Sequence, residues 1–156
     1  GCIFAERLLN AVPEKVKDGV ATAYNVTLTD LGDESPDFIS AVNDLTAEVC
    51  TELDAKMILP EGIYAQSVGS VMPNPKSGQF PLNLSYRYVK SFDGENDGLV
   101  GESSFKFGER YILLHPKGNS GISHADIIDL GRRDVPGFDV CGFYTELVRD
   151  PRDRGL

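Results

Sequence analysis

Apolar residues recur at helical spacing in the first third of the chain. One such stripe begins at Phe4 and ends at Val12. Pro13 follows it, and proline suits the first position of a new helix because an N–H there would have no helical partner. A weaker stripe with the same period continues from Glu14 to Leu31. The pattern therefore predicts two consecutive amphipathic helices.

A third helix is predicted to begin at Ser35. Its hydroxyl would cap the helix, and Pro36 would occupy the first helical position. Apolar residues then continue at helical spacing to about Thr51. Three helices with no strand between them indicate that residues 1–55 form a helical segment distinct from residues 56–156.

The pattern changes in residues 56–156, where short apolar runs alternate with helical stripes. Ile63–Val68 and Arg110–His115 are predicted strands, because each is a short apolar run with turn residues next to it. Leu82–Phe92 fits a helix or a solvated edge segment, and the pattern favours the helix. A clear amphipathic helix runs from Gly137 to about Arg149. Strands separated by helices predict an α/β fold. Two strands are few for such a core, so further strands are either hidden or upstream.

Composition and charge narrow the class of partner. The 156 residues are 41% hydrophobic and 25% charged, which is typical of a globular domain. A net charge of −9 disfavours binding to nucleic acid or to anionic lipid. No apolar run approaches the roughly 18 residues of a membrane span, so stable membrane insertion is not expected. Three widely spaced cysteines match no zinc motif and favour a cytoplasmic location over a secreted one.

Two histidines are the first candidates for proton chemistry. His115 ends a predicted strand and has no polar neighbours in sequence, which favours a structural role. His124 lies in a glycine-containing loop that follows the strongest strand, with Asp126 two residues later. In open α/β sheets, loops at the carboxyl ends of strands carry the groups that face ligands. His124 is therefore a candidate general base, and an ordinary loop histidine is the alternative.

A histidine base needs a carboxylate to orient it. The segment from Asp93 to Val100 offers several, and Asp97 occupies a tight turn there, 27 residues before His124. The gap accommodates the strand Tyr111–Leu114. An acid, a strand and then a histidine is the order that α/β-hydrolases require near their C-terminal end.

Three segments resemble the C-terminal third of bacterial triacylglycerol lipases and related esterases, which are α/β-hydrolases. They are Asn96-Asp97-Gly98-Leu99-Val100, the run from Glu102 to Gly108, and the run from Gly121 to Leu130. The resemblance implies that Asp97 is the acid and His124 the base of a catalytic triad. It also implies a partial α/β-hydrolase sheet in residues 56–156, with residues 1–55 as a helical cap or lid. The substrate would be an acyl ester or lipid, and no cofactor is expected.

The nucleophile of that family is not evident in this sequence. Its serine lies in a Gly-x-Ser-x-Gly turn between a strand and an immediate helix. Ala65-Gln66-Ser67-Val68-Gly69 imitates the turn, but two prolines at 73 and 75 prevent the required helix. We therefore expect the C-terminal portion of a serine lipase or carboxylesterase, with its nucleophile upstream and with little activity on its own.

Calcium is a further alternative. Asp93, Glu95 and Asp97 imitate the first ligands of an EF-hand loop, but Ser104 stands where the final glutamate belongs. Some bacterial lipases place a calcium-binding acid two residues after the catalytic histidine, and Asp126 matches that spacing. The sequence favours instead a role for Asp126 as the N-cap of a helix that begins at Ile127.

Two functions of other kinds stay open at this point. The chain could be a non-catalytic module that binds lipid or protein, or a small self-contained hydrolase that uses Ser67. A partial sheet would also leave an open edge, through which the chain could form a homo-oligomer.

Overall fold

A computed structural model describes residues 2–80, 82–115 and 118–156 of the chain. The chain divides into two compact units, Gly1–Met57 and Ile58–Leu156. The described part of the first unit contains helices and no β-strand. The second contains a parallel β-sheet and two further α-helices. The mixed α/β content predicted from the sequence is therefore present, and both strands lie in the second unit.

The first unit has four helices in chain order. They are α1 (Ile3–Ala11), α2 (Glu14–Asp30), α3 (Phe38–Asp44) and α4 (Ala47–Lys56). The first two were predicted from the apolar stripes and from Pro13. The rings of Tyr24 in α2 and Phe38 in α3 stack with their centroids 4.3 Å apart.

The predicted helix from Ser35 to about Thr51 is wrong at its start. The N-cap of α3 is Asp37, whose carboxylate accepts a hydrogen bond of 3.1 Å from the backbone N–H of Ser40. Ser35 therefore lies outside the helix. Serine and aspartate are both good N-caps, so sequence preference alone could not choose between two candidates two residues apart.

The same predicted helix is also interrupted, because α3 ends at Asp44 and α4 begins at Ala47, with Thr46 as its N-cap. The hydroxyl of Thr46 accepts a hydrogen bond from the backbone N–H of Val49 and so caps α4. At this break the N–H of Cys2 donates to the carbonyl of Leu45 over 2.8 Å. The interruption therefore depends in part on a tertiary contact with the start of the chain, which helical periodicity cannot reveal.

In the second unit, β1 (Gln66–Ser70) and β2 (Arg110–Leu114) form a two-stranded parallel sheet. The strands are in register, with Ser70 opposite Leu114 at their carboxyl ends. Parallel strands need a crossover connection, and here it contains α5 (Leu82–Asp93). The predicted strand Ile63–Val68 is displaced, since β1 begins only at Gln66.

The last helix, α6 (Val140–Asp153), makes a polar contact with each strand. The side-chain amide of Gln66 in β1 donates to the carbonyl of Leu147 over 3.0 Å. Arg110 in β2 forms an ion pair with Asp150, with 2.6 Å between nitrogen and oxygen. These two contacts hold α6 against one part of the sheet.

No helix begins at Ile127. Residues 124–131 form a series of turns, so the prediction that Asp126 caps a helix is wrong. The carboxylate of Asp126 instead accepts a hydrogen bond from the N–H of Ser123, which precedes it in the chain. An N-cap side chain accepts from an N–H that follows it, so the direction of this bond is the reverse of a cap.

The buried part of the second unit mixes apolar and polar side chains. Apolar residues such as Met72, Val89 and Ile122 are at most 3% exposed. The buried polar residues of this unit include Asn96, Asp97, Ser123 and Asp126. Buried polar groups need hydrogen-bond partners. The hydrogen bonds that these four residues make define the candidate site. Within the described ranges, no helix is long and apolar enough to span a bilayer.

Candidate functional site

Two loops meet beyond the carboxyl ends of the parallel strands. The chain leaving β1 reaches Met72, whose N–H donates to the carbonyl of Asn96 over 2.8 Å. The next residue, Asp97, accepts through its own carbonyl a hydrogen bond of 2.9 Å from the N–H of His124, in the loop after β2. Backbone hydrogen bonds therefore bring the acid-bearing loop and the histidine-bearing loop together.

Their side chains meet as well. Nδ1 of His124 lies 2.8 Å from Oδ2 of Asp97. The other carboxylate oxygen of Asp97 accepts from the backbone N–H groups of Leu99 and Val100, at 3.0 and 2.8 Å. Asp97 is only 3% exposed. Its carboxylate is thus held by three hydrogen bonds in a fixed orientation.

The imidazole of His124 is bound on one side only. Since an ionised carboxylate can only accept hydrogen bonds, Nδ1 carries a proton and donates it to Asp97. Among residues 2–80, 82–115 and 118–156, none is hydrogen-bonded to Nε2, and the side chain is 47% exposed. In the neutral ring Nε2 then has a free lone pair. His124 can therefore accept a proton from an incoming group.

The contact with Asp97 also changes the basicity of the ring. The hydrogen bond from Nδ1, assisted by the negative charge of Asp97, raises the pKa of His124 above its ordinary value near 6.5. Partial burial acts in the opposite direction and is outweighed. A pKa raised in this way makes the imidazole a better proton acceptor near neutral pH.

The turn that presents the acid is built on Asn96, which sequence reasoning did not select as a site residue. Asn96 is fully buried; its Oδ1 accepts from the N–H of Gly98 at 2.9 Å, and its Nδ2 donates to the carbonyl of Gly94 at 2.9 Å. Gly98 has a φ of +96°, which favours glycine. The string Asn-Asp-Gly is a recognisable turn signal, so this role could have been found.

Asp126 lies next to the site in a separate polar cluster. Arg133 binds both of its oxygens, with Nε 2.9 Å from Oδ1 and an Nη 2.5 Å from Oδ2. Gln79 donates to Oδ1 over 3.0 Å, and the N–H and hydroxyl of Ser123 donate to Oδ2. Burial alone would raise the pKa of Asp126, but these donors, Arg133 foremost, hold it below its ordinary value. Nothing in the sequence had marked Arg133.

The donors around Asp126 do not fit a calcium ion. Calcium is bound by oxygen ligands, whereas both carboxylate oxygens here face N–H and O–H donors, including a guanidinium. In the part of the chain that the structure describes, no three His, Cys, Asp or Glu side chains are grouped so as to hold a metal. The EF-hand alternative also fails on geometry, because Asp97 is bound to His124 and Asp93 accepts from the hydroxyl of Ser103.

The structure does not place Ser67 next to His124. It is the second residue of β1, and its hydroxyl accepts a hydrogen bond of 2.8 Å from the backbone N–H of Phe107. It lies three positions before Ser70 at the carboxyl end of the strand, a distance of about 10 Å at the usual rise per residue. The chain after β1 continues without an α-helix to Pro75. The strand–turn–helix geometry of a nucleophile elbow is therefore absent around Ser67.

No protein-family model matches this chain, and a search of curated proteins found no match. The geometry of Asp97 and His124 therefore stands on its own observations. The assignment of catalytic roles to the two residues remains a prediction.

Proposed function

We propose that this chain carries the acid and the base of a serine ester hydrolase and corresponds to the C-terminal portion of a lipase or carboxylesterase. The observation that carries the proposal is the pair formed by Asp97 and His124, in which Nδ1 is bound and Nε2 is free to react. The pair lies beyond the carboxyl ends of parallel strands, where ligand sites of α/β proteins occur. The lipase-like segments around both residues add support.

In this proposal, Nε2 of His124 removes the proton of a serine hydroxyl as its oxygen attacks the ester carbonyl. Asp97 stabilises the imidazolium that forms. The ester C–O bond then breaks, and His124 returns the proton to the departing alcohol. A water molecule repeats the sequence on the acyl-enzyme, giving the free acid and the serine hydroxyl again.

The proposed nucleophile comes from outside the 156 residues. Ser67 accepts a hydrogen bond within the sheet region and lies near the opposite end of β1. Ser70 at the correct end is 1% exposed, which leaves no room for an acyl group. In this view β1 and β2 are the last strands of a larger α/β-hydrolase sheet, and residues 1–55 correspond to a helical cap or lid.

The test compares two forms of the protein. This chain alone is treated with a fluorophosphonate probe, and the protein with any residues encoded upstream is assayed on p-nitrophenyl esters. We expect no labelling of the chain alone. We expect hydrolysis by the longer protein, and a loss of roughly 10³-fold or more in His124→Ala. Labelling of Ser67 in the chain alone, abolished by His124→Ala, would instead favour a self-contained hydrolase.

A non-catalytic binding module is the second candidate. The observation that favours it is the exposure of apolar residues on α5, where Leu84 is 68% and Phe92 48% exposed. Exposed apolar surface of this kind often marks a binding face. Wild-type ester hydrolysis in the His124→Ala form of the longer protein, or none in either form, would favour this candidate over the hydrolase.

A further inference from the structure

One ion pair, between Asp126 and Arg133, anchors the loop that carries His124. The carboxylate of Asp126 has no solvent exposure, and the Arg133 side chain is one-third exposed. The pair is bidentate, because separate guanidinium nitrogens reach the two carboxylate oxygens. Bidentate arginine–carboxylate pairs fix orientation as well as distance.

This ion pair acts on His124 through Ser123. The N–H and the hydroxyl of Ser123 donate to the same oxygen of Asp126, at 2.9 and 2.5 Å. Ser123 is fully buried and immediately precedes His124. The backbone N–H and the hydroxyl of the residue that precedes the histidine are therefore fixed by the carboxylate that Arg133 holds.

Arg133 also joins the two loops that leave the sheet. One of its Nη atoms donates to the carbonyl of Ser77, in the loop after β1, at 2.8 Å. The same atom donates to the carbonyl of Gly121, at the start of the histidine loop, at 3.0 Å. A single guanidinium thus binds carbonyls in both loops and the carboxylate of Asp126, which follows His124 in the second of them.

The chain between Asp126 and Arg133 is bent to make this possible. Asp129 and Arg132 have φ values of 53° and 47°. Left-handed backbone at residues other than glycine is uncommon, and it persists where surrounding contacts stabilise it. The two residues reverse the chain so that Arg133 returns to the carboxylate seven positions earlier.

We propose that Arg133 is a positioning residue for His124, and that its guanidinium serves as the fixed cation of the histidine loop in place of a bound metal ion. The inference rests on the proposed role of His124 as a base. Its claim is geometric, however: through Asp126 and Ser123, Arg133 holds the imidazole where Nδ1 meets Asp97. The claim can therefore be measured without any ester hydrolysis.

The experiment is a pH titration of this chain by proton NMR, which is simple to read because the only histidines are His115 and His124. In Arg133→Ala we expect the pKa of His124 to fall toward its ordinary value and the low-field Nδ1 proton to be lost. The matched control is Arg149→Ala, which breaks an exposed ion pair with Glu146 and should change neither histidine.

A second variant, Ser123→Ala, keeps the proposal testable if Arg133→Ala does not fold. It deletes one hydrogen bond to Asp126 and keeps the backbone N–H, so we expect a smaller movement of the His124 pKa in the same direction. A folded Arg133→Ala or Ser123→Ala protein with an unchanged His124 pKa and an unchanged Nδ1 proton would overturn the proposal. So would a shift of the wild-type titration on adding calcium or a chelator. If the titrations move as expected but the longer protein hydrolyses no ester, only the proposed function fails.

Discussion

Asp97 and His124 are joined twice, once through the backbone and once through their side chains. The N–H of His124 donates to the carbonyl of Asp97 at 2.9 Å, and Nδ1 of the ring lies 2.8 Å from Oδ2. The residues are 27 positions apart in the chain. Because the backbone bond sets the distance between the two Cα atoms, the imidazole needs only to rotate to reach the carboxylate. Such prior positioning lowers the entropy lost when the side-chain bond forms.

Replacing Asp97 by asparagine removes the charge and keeps the shape. We expect the pKa of His124 to fall toward 6.5 in Asp97→Asn, because the hydrogen bond that raises it is weakened and the charge is removed. Proton NMR titration measures this change, with His115 as the internal reference. Asp93→Asn is the matched control, since Asp93 contacts Ser103 instead. An unchanged His124 pKa in Asp97→Asn would contradict the assigned contact.

The same contact should make stability depend on pH. A group whose pKa is raised on folding contributes stability that is fully present below its unfolded pKa and lost as pH rises through the folded value. For His124 the unfolded value is near 6.5. Urea unfolding of wild type and Asp97→Asn should therefore show a stability difference that shrinks as pH rises through the folded pKa. A difference that grows over that range would refute the expectation.

The Asp126–Arg133 ion pair should make the free energy of unfolding depend on pH in the acidic range. The pKa of Asp126 is lowered on folding, so its contribution is present above the unfolded value near 3.8 and lost as pH falls through the folded value. At neutral pH we expect Asp126→Asn to reduce the free energy of unfolding by about 2–4 kcal/mol, because it leaves a partly buried guanidinium without its charge partner. Urea unfolding measures the loss. A variant that unfolds with the wild-type midpoint at neutral pH would show that the pair adds no net stability.

Gly98 provides a test of the turn that presents Asp97. Its φ of +96° is unfavourable for any other residue, and a Cβ there would lie 2.9 Å from the carbonyl oxygen of Leu82. Gly94 has a similar φ of +74° but open space around it. We expect Gly98→Ala to destabilise the protein by about 1–3 kcal/mol more than Gly94→Ala, because strain is common to both and the steric clash is not. Thermal unfolding of the two variants is the measurement, and equal losses would contradict the packing described.

Local patterns in the sequence determined much of the secondary structure. The apolar stripes identified α1, α2, α5 and α6, because an amphipathic helix carries its own period in the sequence. The run Arg110–Leu114 identified β2 in the same way. The order of Asp97, a strand and His124 singled out two residues that the structure brings within hydrogen-bond distance. These features depend on residues that lie close together in the chain.

Tertiary structure decided the rest. The break at Thr46 involves a backbone bond between Leu45 and Cys2, and sequence period cannot report a contact between distant segments. The turns after His124 replaced a predicted helix because Asp126 is bound by Arg133 and Ser123, so its carboxylate is not available as a helix cap. Arg133 itself had no local signal, since an exposed arginine and a partly buried arginine that binds a carboxylate look alike in sequence. Its role follows only from the two loops and the carboxylate that the fold brings around one guanidinium.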